Sequence, residues 1–215
     1  MLSISYVNFW NDKNNDRYLS KFIDENIGKT KEIHYNNNPD ILISSCMGNI
    51  NVKNIKSKCK IFFYGENLNR SCYRLYNNET LLYNTFDIII GFKDSNIDKK
   101  QIRFPLWLIY YPFYNFKSEN NIINYLNNKY RENIKKNKIY FGSMVCKHDR
   151  EGQRTLLYNE LSKYGKIYCP SLFKNNINKI GNSSCDKINF ISNSIYNICP
   201  ENSKFENYYT EKIFQ

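Results

Sequence analysis

The residues best suited to chemistry gather at the far end of this chain, in Cys199-Pro200-Glu201-Asn202-Ser203-Lys204-Phe205-Glu206-Asn207-Tyr208-Tyr209-Thr210-Glu211-Lys212-Ile213-Phe214. Acids, amides, hydroxyls, tyrosines and lysines lie there between an apolar run, Ser194 to Cys199, and what reads as the first turn of a helix. In open α/β sheets, ligands bind at such strand-to-helix junctions. Thr210 stands where an N-cap is expected and Glu211 in the first turn. The free N–H groups and positive dipole end there favour an anion, to which Lys212 adds a full charge. Every capped helix shares part of this pattern. A second anion-seeking stretch, Lys147-His148-Asp149-Arg150-Glu151-Gly152-Gln153-Arg154, opens another helix. An arginine fork there suits phosphate; a solvated helix start explains Arg150 better than Arg154. Glu66 follows Gly65 directly after an apolar strand. A doubly wound sheet presents carboxylates at that edge, either as a general base or as an acid that satisfies loop amides.

The elements that must position these residues follow from apolar periodicity. Ser3 to Trp10 reads as a buried strand and Arg17 to Ile27 as a helix with Tyr18, Leu19, Phe22, Ile23 and Ile27 on one face. Lys31 to Tyr35, Ile41 to Cys46, Lys60 to Tyr64, Phe86 to Phe92 and the apolar run Arg103 to Phe116 follow as strands or strand-like segments. Asn120 to Asn137 is polar and weakly helical, with the composition of a connector. The rhythm then restarts with strand Lys138 to Ser143, helix Asp149 to Tyr164, strand Lys166 to Cys169, an Asn-rich loop, helix Cys185 to Ile191 and strand Ser194 to Cys199. Strands interleaved with helices argue for parallel α/β sheets. The expected organisation is a first domain over 1–117, a connector over 118–137 and a partial second domain over 138–215.

A chain of 215 residues, 41% hydrophobic and 16% aromatic, can bury a sizeable core. Its net charge of +11 favours anionic partners: nucleic acid, an anionic membrane surface or a sugar-nucleotide diphosphate. The abundance of Asn, Lys, Ile and Tyr is also what AT-rich coding yields. No nucleic-acid module signature organises the basic and aromatic residues; the aromatics of Leu106 to Tyr114 could stack on a sugar or a base, but core packing explains them better. Seven cysteines occur without a Cys-x-x-Cys pair and only two histidines accompany them, which disfavours a zinc site. Free, mostly buried thiols, no signal-peptide pattern and no apolar run long enough to span a bilayer point to a soluble, cytoplasmic protein.

With these residues in view, the chain resembles the α-1,3-fucosyltransferase family of glycosyltransferases nearly end to end. Phe9-Trp10 and Asn38-Pro39-Asp40-Ile41-Leu42-Ile43 look like the family's acceptor-domain entry. Lys60-Ile61-Phe62-Phe63-Tyr64-Gly65-Glu66-Asn67 is similar to its strand and turn, followed by Asp87-Ile88-Ile89-Ile90-Gly91-Phe92 and Arg103-Phe104-Pro105-Leu106-Trp107. Glu201-Asn202-Ser203 and Tyr208-Tyr209-Thr210-Glu211-Lys212-Ile213 look like its donor signature. Pro200 stands where the family usually has Phe, and Met144 where Asn is common. The family's Gly-x-Pro segment after the lysine-bearing helix is not among these residues.

The resemblance implies an α/β, GT-B-like architecture of two Rossmann-like domains, the second incomplete, with the acceptor bound mainly by the first and GDP-fucose by the second. It implies transfer of L-fucose from GDP-fucose to a glycan hydroxyl, α-1,3 to a GlcNAc-containing acceptor, with inversion. Glu66 becomes the catalytic base, and Arg154, Asn202, Tyr208, Glu211 and Lys212 the donor-binding set. Arg150 remains an alternative to Arg154 as phosphate partner. No metal ligand is implied; a divalent metal is at most a stimulant. The partners are GDP-fucose and a glycan, without nucleic acid or a membrane span. The other reading is a truncated, inactive remnant or a carbohydrate-binding protein.

Overall fold

The computed structural model describes residues 1–9, 17–95, 98–110, 118–135, 137–210 and 212. It divides into two compact units, Met1–Ile109 with Phe205–Tyr208, and Tyr110–Lys204 with Tyr209–Gln215.

The first unit runs β1 (Leu2–Val7), α1 (Arg17–Asn26), β2 (Thr30–Glu32), β3 (Ile41–Ser44), β4 (Cys59–Phe63), α2 (Glu79–Thr85), β5 (Ile88–Gly91) and β6 (Gln101–Arg103). All neighbours pair in parallel, in the order β2-β1-β3-β4-β5-β6. Leu42 and Ile43 are both fully buried, and successive strand residues face opposite sides, so β3 is covered on both faces. Leu42 joins Phe62, Phe86, Ile89 and Phe92 in one cluster, while Ile43 joins Ile4, Ile23 and Ile61 in another. Burying each such side chain stabilises the fold by about 1.5–3 kcal/mol.

Departures from the expected elements have local causes. On α1, Ile23 is buried but Phe22 is 52% exposed, so the apolar face is narrower than its spacing suggests. The strand expected over 31–35 ends at Glu32, and Tyr35–Asn37 forms a 3-10 helix capped by the His34 side chain. In the stretch 103–116, β6 ends where Pro105 approaches, because proline has no N–H to give a ladder. Leu106–Tyr110 is a 3-10 helix. Trp10 and residues 111–116 lie outside the described residues.

The second unit runs α3 (Glu119–Ile134), β7 (Tyr140–Ser143), α4 (Gln153–Leu161), β8 (Ile167–Tyr168), α5 (Ser184–Ile191) and β9 (Ser194–Asn197). Its parallel sheet has the order β8-β7-β9. Met144, Ile167, Cys169 and Phe173 form its core. The stretch expected to be a weakly helical connector is the 16-residue helix α3. The Asn-rich loop after β8 has a definite job. Asn176 accepts from Cys169 N–H at 2.8 Å and donates to Ile167 C=O at 2.8 Å, so its amide occupies the strand's outer edge as a neighbouring strand would.

The fold is therefore α/β with a six-stranded and a three-stranded parallel sheet. All seven cysteines are free thiols, but only Cys46 and Cys169 are buried, fewer than expected; Cys72 and Cys185 are exposed. No helix among the described residues is long and apolar enough to cross a membrane.

Candidate functional site

Because β8 and β9 flank β7, the chain leaves β7 toward one side and arrives at β9 on the other. The carboxyl ends of β7 and β9 thus bound a topological switch point, where open α/β sheets form a crevice. A cavity of about 340 Å³ is lined by Cys146, His148, Arg154, Lys187, Asn202 and Lys212. A smaller one between the strand ends shares Arg154, Lys187 and Lys212 and reaches Cys199 and Pro200.

Arg154 is placed there by the way α4 begins. The helix was expected from Asp149, but Gly152 takes a left-handed φ of 74° at its N-cap and has no side chain to cap with. Asp149 supplies the cap from three residues earlier, accepting from Arg154 N–H at 3.1 Å and Thr155 N–H at 2.8 Å. Burial pulls the Asp149 carboxyl upward, but hydrogen bonds from Thr155 and Arg154 and the guanidinium charge outweigh it and hold it below the usual carboxylate range. Arg154, second residue of the helix, is consequently only 4% exposed, whereas Arg150 lies in the exposed loop.

The guanidinium donates from Nη2 to Asn202 Oδ1 at 2.6 Å and from Nη1 to His148 C=O. Its Nε is buried with no hydrogen-bond partner among the described residues, and none of their carboxylates lies within salt-bridge distance of it. A buried cation so placed is costly without an anion.

Lys212, on the same cavity wall, donates to Glu201 Oε2 at 2.7 Å and to Thr210 Oγ1 at 2.7 Å. Glu201 also accepts the Thr210 N–H at 2.7 Å and its hydroxyl at 2.8 Å. The helix expected after Thr210 falls on residue 211 and residues 213–215, outside the described residues, apart from Lys212.

The structure brings Arg154, Asn202 and Lys212 of the expected donor set to one cavity. Glu211 lies outside the described residues. Tyr208 belongs to the first unit, where it is 4% exposed and meets Phe92 edge-on at 4.8 Å. Glu66 is also in the first unit, at the carboxyl end of β4. It is half-buried, with Oε2 3.4 Å from Arg70 Nη1, and Arg70 lies 5.7 Å from the Tyr73 ring centre.

Residues 4–110 match the model of the alpha-(1,3)-fucosyltransferase FucT N-terminal domain. The chain belongs to the α-1,3-fucosyltransferase family. Solved α1,3-fucosyltransferase structures share its fold. One with GDP-fucose is 21% identical with a TM-score of 0.65, and another without a named ligand is 19% identical with a TM-score of 0.67. In each case the match covers 99% of this chain and 64% of the other, so the chain spans about two-thirds of its relatives' length. No curated protein matches it by sequence.

The fucosyltransferase motifs quoted from the sequence include Glu201, yet nothing in their spacing marks it as the carboxylate that holds Lys212. Lys187 was missed as well. It sits in the first turns of α5, behind the Ser183–Asp186 capping box, and only the packing of α5 beside β7 brings it to the cavity.

Proposed function

We propose that this family member is a fucosyltransferase of GT-B architecture that moves L-fucose from GDP-fucose to a glycan hydroxyl, forming an α-1,3 linkage to a GlcNAc-containing acceptor with inversion. The observation that carries this reading is the buried Arg154 guanidinium beside Lys212 at the β7/β9 switch point, a pair of cations held in a crevice of nucleotide size. The acceptor oxygen attacks the fucose anomeric carbon as the bond to the β-phosphate breaks. Glu66 takes the acceptor proton, and Arg154 and Lys212 stabilise the charge that develops on departing GDP. Asn202 keeps the arginine fork oriented, while Glu211 completes the donor set. The two fixed cations serve the leaving group, and a divalent metal acts at most as a stimulant.

Incubation with GDP-fucose and a panel of glycan acceptors is expected to release GDP, and Glu66→Gln to lose most of that rate. An unchanged rate in the variant removes Glu66 from the mechanism. A second reading, a protein that binds GDP-fucose or glycan without transfer, is favoured by one observation: the Glu66 carboxylate is already engaged by Arg70. GDP affinity in calorimetry with no turnover on any acceptor would select it.

A further inference from the structure

We propose that Glu201 is a positioning residue, which holds the Lys212 ammonium through a closed ring with Thr210 in the orientation that grips a diphosphate. This rests on the reading of the β7/β9 cavity as a diphosphate site. The ring is nearly dry: Thr210 is 2% exposed, and the side chains of Glu201 and Lys212 are 15% and 17% exposed. Each member has a definite sense. Lys212 donates to Thr210 Oγ1 and to Glu201 Oε2, each at 2.7 Å, while the Thr210 hydroxyl donates to Glu201 at 2.8–2.9 Å. The Thr210 N–H anchors the same carboxylate at 2.7 Å, tying it to the backbone two residues before the lysine.

An ammonium has three donors in fixed tetrahedral relation. Two are committed within the ring, so the direction of the third is set before any ligand arrives. A lysine on its flexible four-carbon stem would otherwise lose that freedom on binding. Two rival roles make different predictions. If Glu201 only cancelled the lysine's charge, removing it would tighten anion binding. If it only tied down the chain around Thr210, its loss would cost the same whether or not Lys212 were present.

Calorimetry on the 215-residue chain with GDP, and separately with inorganic pyrophosphate, tests this. Glu201→Gln is expected to weaken both probes about 10-fold, the loss of one charge-assisted hydrogen bond. In a Lys212→Met background the same change is expected to alter affinity less than about 2-fold, because coupled residues are non-additive. Thr210→Val is expected to weaken both probes, and Thr210→Ser, which keeps the hydroxyl, to recover the loss; this pair decides the matter if the Glu201 variant does not fold. Tighter or unchanged binding in Glu201→Gln, or an equal loss in both backgrounds, overturns the proposal. If pyrophosphate shows the pattern but GDP does not bind, the nucleotide reading fails and the role of Glu201 stands. Failure of the wild-type protein to bind either probe overturns both.

Discussion

The two sheets begin alike, β2-β1-β3 and β8-β7-β9, so each has a crevice where its first strand meets its third, and the two crevices are filled by opposite chemistry. At the first, Asn8 turns in with a left-handed φ of 59° and spreads its amide over Ser44 Oγ, Tyr76 OH and both the C=O and N–H of Ile50. Gly48 lets this happen: a β-carbon there would lie 2.4 Å from Asn8 Oδ1 and 3.0 Å from its Cα. The crevice is closed by neutral polar groups that satisfy one another. At the second, the cations Arg154, Lys187 and Lys212 line an open cavity.

Thiols just past the third strand of one sheet and the first of the other report the same contrast. Burial pushes Cys46 up to about 12, and the charge of Glu66 adds to the rise. Burial pushes Cys146 up to about 11, but Arg154 and Lys187 pull against it. One topology thus offers a crevice twice, closed by neutral polar groups in one sheet and left as an open cavity lined by cations in the other.

The largest expected effect separates the two crevices outright. Arg154→Met should weaken GDP binding about 100-fold or more in calorimetry, because a buried charge-assisted contact is lost. Asn8→Ala should leave that affinity within about 2-fold; a large loss there would break the contrast. Its effect should appear in urea unfolding of the first unit, as a loss of about 3 kcal/mol, since it strands several buried partners. Gly48→Ala should cost about 2 kcal/mol in the same measurement by overpacking the closed crevice.

The smallest effect is chemical. Under iodoacetamide, read by mass spectrometry, exposed Cys72 and Cys185 should react first, then Cys146, and Cys46 last. Only the thiolate reacts, and a raised pKa keeps the thiol protonated below it. The Cys146 rate should therefore climb about tenfold per pH unit until pH approaches its pKa. GDP should protect Cys146 and leave Cys46 unaffected.

Much of the scaffold was legible because strands buried on both faces leave short unbroken apolar runs: Ile41 to Ser44, Ile61 to Phe63 and Ile88 to Gly91 could hardly be read otherwise. Element ends were less legible. The start of α4 depends on Asp149 reaching forward past Gly152, and the end of β6 on a proline two residues on. The site was half legible. Arginine at a helix opening and lysine after a strand were visible as types, and the family resemblance assigned them to a donor.

What the sequence determines by itself is the succession of α/β units, the kinds of residue at each strand end and, through its motifs, the family. Those signals are local: periodicity, turn chemistry and short patterns survive in one dimension. Only the tertiary structure decides that Arg154 and not Arg150 is buried, that Glu201 holds Lys212 across nine to eleven residues of chain, and that the first crevice is shut while the second is open. Burial and charge pairing are sums over neighbours distant in sequence, and those neighbours meet only when the strands take their order in the sheet.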